Sequence, residues 1–69
     1  YTIQVGAFRN KLYADNLLLK LKRQGYPAYE DFRDNLYRVR VGQYSQLDQA
    51  VDMEGRLKSR GYTTFLTTI

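Results

Sequence analysis

Three sets of residues in this chain have the types and spacing to do chemistry. The first is Gln4 with Arg38 and Arg40. A guanidinium is a planar fork of N–H donors that fits a carboxylate, and a glutamine amide both donates and accepts. With the apolar Leu36 at the same parity as the arginines, they suit a ligand platform. The second set is the carboxylates Asp15, Glu30, Asp31, Asp34, Asp48, Asp52 and Glu54. A pair of these could act as general acid and base, but they fall mostly on predicted helix surfaces and turns. Asp48 and Asp52 stand one helical turn apart and read as solvated. The third set is Gly6 and Gly42, which close strands without any phosphate-binding loop pattern. There is no histidine and no cysteine. The usual general base, the thiol nucleophile, a Cys/His metal site and a disulfide are therefore all missing. The residues point to binding without catalysis, without a metal and without a cofactor.

These side chains must be positioned by a small fold. Sixty-nine residues make one domain, 1–69, which buries only about 60% of its unfolded surface. Eleven Lys/Arg against seven Asp/Glu give a net charge of +4, a mild preference for an anionic partner. Seven tyrosines suit half-buried and binding positions, with an apolar body and a polar tip. No signal peptide and no long apolar run is present, so no membrane contact by the domain itself is expected. The chain starts on a strand and ends near one, as a module of a longer protein does, and a monomer is expected.

One supersecondary unit occurs twice. Tyr1-Thr2-Ile3-Gln4-Val5-Gly6-Ala7-Phe8 returns as Tyr37-Arg38-Val39-Arg40-Val41-Gly42-Gln43-Tyr44, at a constant offset of 36. At the same offset Ala14 matches Ala50, Leu17 matches Met53, Leu21 matches Leu57, Gly25 matches Gly61 and Tyr26 matches Tyr62. The units span about 1–30 and 37–66. Each reads strand, helix, strand. Ala14, Leu17, Leu18 and Leu21 form an apolar stripe at helical period, and Ala50, Met53 and Leu57 repeat it. Asn10 can cap the first helix, and Ser45 with Asp48 has the spacing of a capping box for the second. Gly25 and Gly61 suit the left-handed residue beyond a helix. Short strands follow at Tyr26 to Glu30 and at Tyr62 to about Thr67. Pro27 lacks an N–H and belongs at a sheet edge. Asp31 to Asn35 reads as a polar turn bending at Asp34-Asn35.

The order βαββαβ predicts an α+β fold, the ferredoxin-like (RNP-like) split βαβ, with an internal pseudo-two-fold repeat. Two helices cover one face of a four-stranded antiparallel sheet, with the repeated strands in the centre. By alternation Ile3, Val5, Val39 and Val41 face the helices. Thr2, Gln4, Arg38 and Arg40 face outward on the uncovered side. RNA-binding RRM sheets share this order but stack bases on aromatic residues of the two central strands. None of those four outward residues is aromatic, so no nucleic acid is expected, and an RRM-like single-stranded RNA-binding domain is the alternative reading.

The opening phrase, the helix beginning near Ala14, the Gly25-Tyr26 pair and Tyr37-Arg-Val-Arg-Val-Gly-Gln-Tyr44 together resemble the SPOR domain, the sporulation-related repeat of bacterial envelope proteins. The resemblance covers essentially the whole chain. It implies a non-enzymatic module, found in division proteins and cell-wall hydrolases, that binds peptidoglycan. Its preference is for glycan strands lacking stem peptides. It implies a location outside the cytoplasmic membrane, in the periplasm or cell wall, enriched at the division septum or forespore. Position by position, Gln4 falls on a glycan-contacting glutamine. Ala7 falls where many members have a serine contact, and Leu36 where some have a tryptophan. Arg38 matches a binding arginine, and Leu66 an apolar contact on the last strand, with Phe65 in its place if the parity there is shifted. Removing a stem peptide frees the lactyl carboxylate of muramic acid, which suits both Arg38 and Arg40.

Overall fold

The computed structural model describes residues 1–69. The elements are β1 (Thr2–Phe8), α1 (Lys11–Arg23), β2 (Ala28–Arg33), β3 (Leu36–Val41), α2 (Leu47–Ser59) and β4 (Phe65–Thr67). The four strands form one antiparallel sheet in the order β2-β3-β1-β4. The repeated strands β1 and β3 are thus central, as their sequences predict. Pro27 directly precedes edge strand β2, where its carbonyl still accepts from the Gly42 N–H at 2.9 Å.

One core lies between sheet and helices. Ile3, Val39 and Val41 from the central strands and Leu21 and Leu57 from the helices are fully buried. Each such side chain contributes roughly 1.5–3 kcal/mol by leaving water. The predicted stripes are the buried stripes, since Ala14 and Leu21 of α1 and Ala50 and Leu57 of α2 face inward. α1 packs on β1, β2 and β3, and α2 on β1 and β4. Tyr26 and Tyr62 bridge between their C-terminal ends, with ring centroids 6.5 Å apart, edge to face. Lys20 lies 5.3 Å from the Tyr62 ring and Arg60 5.6 Å from the Tyr26 ring.

The helix ends follow local chemistry. Asn10 Oδ1 accepts from the Leu12 N–H at 2.9 Å, satisfying one of the free donors of the first turn. Both C-termini close identically. Gly25 and Gly61 each have φ of +88°, a conformation that costs glycine nothing. The N–H of Tyr26 reaches the Leu21 carbonyl and that of Tyr62 the Leu57 carbonyl, both at 3.1 Å, the Schellman arrangement.

Three local expectations change. α2 begins at Leu47 with Gln46 in the capping position, without a side-chain cap. Ser45 therefore lies one residue too early for a capping box, and Asp48 Oδ1 instead accepts from the Gln49 N–H at 3.0 Å. β2 runs on to Arg33, so the predicted five-residue turn shrinks to Asp34 and Asn35, with φ of 54° and 62°. Two successive left-handed residues make the tight hairpin turn whose twist matches that of the strands. Phe32 and Tyr37 stack across this hairpin at 4.4 Å between centroids. β4 is also short, three residues from Phe65.

Gly55 sits exposed in α2, and a methyl group there meets nothing within 4 Å. Gly55→Ala is expected to raise stability by about 0.5–1 kcal/mol, because alanine loses less conformational freedom in a helix. A thermal melt checks it, with an upward shift of roughly 4–8 °C per kcal/mol for a domain of this size.

Candidate ligand-binding face

The side of the sheet away from the helices is built by β1 and β3, and β1 does not run regularly. Ile3 pairs with Val41 and Gln4 with Arg40, but the next pairs are Gly6 with Val39 and Ala7 with Arg38. Val5 is an extra residue, a β-bulge, and it keeps its packing against the core. Such an insertion shifts the alternation of faces by one. Simple alternation from Ile3 sends Ala7 toward the helices; the bulge instead puts it opposite Arg38, exposed on the open face. Gly6 takes the inward place. A Cβ on Gly6 falls 2.7 Å from the Phe8 ring and 2.9 Å from a Leu17 methyl. Only a residue without a side chain lets α1 and Phe8 close over the strand here.

Cross-strand pairing then arranges the face in rows. One row crosses all four strands as Tyr29, Arg40, Gln4 and Phe65. At the usual strand spacing it spans about 14 Å. The next holds Asp31, Arg38 and Ala7, and the third Arg33 and Leu36. Five of the six expected residues therefore share one surface: Gln4, Ala7, Leu36, Arg38 and Arg40. Leu66 does not. It pairs with Ile3 and packs against the core, while Phe65 pairs with Gln4 and is 63% exposed. The expectation for Leu66 is corrected to Phe65, because the register of β4 turns Leu66 inward.

Thr2 has the outward parity expected of it but is not available. It is fully buried, its hydroxyl donates to the Gly42 carbonyl at 2.6 Å, and it accepts from the Tyr29 hydroxyl at 3.0 Å. Tyr29 is therefore tied from edge strand β2 toward β1. The arginines also differ from one another. Arg40 Nη1 lies 3.2 Å from Asp31 Oδ2, and its side chain is only 14% exposed. Arg38 donates to the Arg33 carbonyl at 2.8 Å and has no carboxylate partner.

Asp31 and Arg33 lie beyond the strand end at Glu30 that the sequence predicts, because β2 runs on to Arg33, and Tyr29 joins the face through its pairing with Arg40. Their alternation, followed by two turn-forming residues, is the signal that reveals them. With Phe65 they give the open face two aromatic rings, both on edge strands.

The groups with displaced proton affinities lie elsewhere. Lys11 bridges to Asp15 at 3.0 Å and to Glu30 at 3.6 Å. The hydrogen bond between them raises Lys11 and lowers Asp15. Burial raises Glu30, whose Oε2 has no partner. Glu30 pairs across the strands with Val39, so it faces the helix layer and pins α1 to β2. Two carboxyls with proton affinities pushed apart can serve acid–base chemistry, yet the cavity of about 320 Å³ is lined by Tyr44, Gln49, Asp52, Met53 and Arg56. Neither carboxyl opens into it. Burial likewise raises Tyr44. No cluster of three or more metal-ligating side chains is present. The open face presents guanidinium and amide groups of the kind that suit an anionic, hydroxylated ligand.

The chain is similar to two solved structures. The peptidoglycan binding domain of the B. subtilis cell wall lytic enzyme CwlC, solved in solution, is 30% identical with a TM-score of 0.86, covering 96% of this chain and 84% of that one. The crystal structure of the RlpA SPOR domain from Pseudomonas aeruginosa is 26% identical with a TM-score of 0.68, covering 96% and 97%. No curated protein sequence matches. The SPOR domain family itself matches residues 1–68, all but the final isoleucine, and the chain belongs to that family.

Proposed function

We propose that this chain is a non-catalytic module that binds peptidoglycan on the open face of its sheet, and that it recognises glycan strands whose stem peptides have been removed. The observation that carries the reading is the row Arg40, Gln4 and Phe65 beside the carboxylate-free Arg38. The likeness to the CwlC peptidoglycan binding domain supports it. Arg38 receives a lactyl carboxylate freed by loss of the peptide, through paired N–H donors. Gln4 answers sugar hydroxyls and N-acetyl groups with both halves of its amide. Phe65 and Leu36 supply apolar surface for the sugar rings. Ala7 leaves room there without a hydrogen bond. No helix is long and apolar enough to cross a membrane. In this reading the module targets a parent protein of the bacterial envelope, at the septum or spore wall, by binding wall material as a monomer.

The test is a pull-down of the purified domain on sacculi, before and after treatment with an amidase that strips stem peptides. More domain is expected on the treated sacculi, with binding weakened by salt to the extent that arginines carry it. Equal binding to both sinks the specificity; binding to neither sinks the module. A gel shift with mixed RNA oligomers at physiological salt tests the RRM-like alternative. The central outward positions lack aromatic residues, and no shift is expected.

A further inference from the structure

The open face carries three guanidiniums, Arg33, Arg38 and Arg40, but also one carboxylate, Asp31. Asp31 stands directly opposite Arg38 in the β2–β3 register and reaches diagonally to Arg40, 3.2 Å away. Both members of that ion pair are partly buried, at 14% and 28% side-chain exposure. Arg40 Nε is buried without any partner, so Asp31 satisfies one end of the guanidinium and leaves the other unanswered. Arg38 has turned to the Arg33 carbonyl instead. An acid among arginines on a face that binds an anion is costly for binding unless it has a role.

Resting on the glycan reading, we propose that Asp31 is a specificity-determining residue. It is a resident carboxylate that occupies Arg40 and leaves Arg38 to receive an acidic group of the ligand. A carboxylate on Arg40 repels a second ligand carboxylate from that place. The face then reads a sugar chain with widely spaced acids in preference to any dense polyanion. In this account Arg40 acts through its pairing with Asp31, and Arg38 acts directly.

The experiment compares wild type, Asp31→Asn and the double variant Asp31→Asn/Arg40→Gln. The ligands are amidase-treated sacculi and, separately, a dense polyanion such as heparin, across a salt series. Asp31→Asn is expected to tighten binding to treated sacculi roughly two- to tenfold at low salt, to steepen the salt dependence, and to gain more on heparin than on sacculi. The double variant is expected to lose that gain. If Asp31→Asn does not fold, Asp31→Thr tests the same point with a residue favoured in strands. A folded variant that binds no tighter, with an unchanged salt slope, overturns the role of Asp31 while wild-type binding keeps the glycan reading. Failure of wild type to bind treated sacculi overturns both.

Discussion

Arg38→Ala is expected to weaken binding to amidase-treated sacculi by roughly 10- to 100-fold, the loss of one charge-assisted contact of about 1.5–3 kcal/mol. The size follows from its surroundings. Arg40 already shares its charge with Asp31 at 3.2 Å, whereas Arg38 spends only one donor, on the Arg33 carbonyl at 2.8 Å. The remaining donors of its fork are free for a carboxylate. Its neighbours in the row are Asp31 and Ala7, and neither can donate to a ligand acid in its place. The fold does not depend on it, because the side chain is outward and outside the core. Arg38→Lys is the informative companion, keeping the charge and losing the fork. Equilibrium binding with a melt of each variant separates affinity from folding. Unchanged affinity in a folded Arg38→Ala rules this arginine out as the anion contact.

Gly6→Ala carries the second large effect, on stability. A methyl group at Gly6 falls 2.7 Å from the Phe8 ring and 2.9 Å from Leu17. The leucine methyl can swing away, but the phenylalanine ring is held against the core. Overpacking of this kind costs roughly 1–3 kcal/mol. For a domain this small the melting temperature is expected to fall by about 4–8 °C for each kcal/mol. The site should suffer with it. Relief of the clash moves β1 just where Gln4 and Ala7 flank the Val5-Gly6 pair, so weaker glycan binding should accompany the lower melting temperature. A melt unchanged from wild type means the strand and α1 adapt without strain.

Most of the fold was legible in the sequence because its determinants are local or periodic. Ala14 to Leu21 keep helical period, Asn10 caps, Gly25 and Gly61 stop the helices, and Pro27 marks an edge. The central strands were legible through their mutual likeness. The face was legible where alternation is regular, at Gln4, Leu36, Arg38 and Arg40. The failures are of parity at Val5 and Leu66 and of strand extent at Asp31 and Arg33. Val5 is an ordinary strand residue, and nothing in its type announces a bulge. Leu66 and Phe65 lie in a three-residue strand flanked by threonines, too short to display a period. Asp31 and Arg33 were assigned to a turn because polar residues on an outward strand face look like loop residues. Pairing between strands, not composition, decides each of these.

The bulge has a consequence for counting. Excise Val5 and the strand reads Ile3 in, Gln4 out, Gly6 in, Ala7 out, an unbroken alternation with every face preserved. The residue behaves as a frame correction inserted between two halves of a strand. A relative whose first strand pairs without a bulge therefore aligns with this one only across a one-residue gap opposite Val5. Positions transferred from it by plain counting land on the wrong side of the sheet from Gly6 onward.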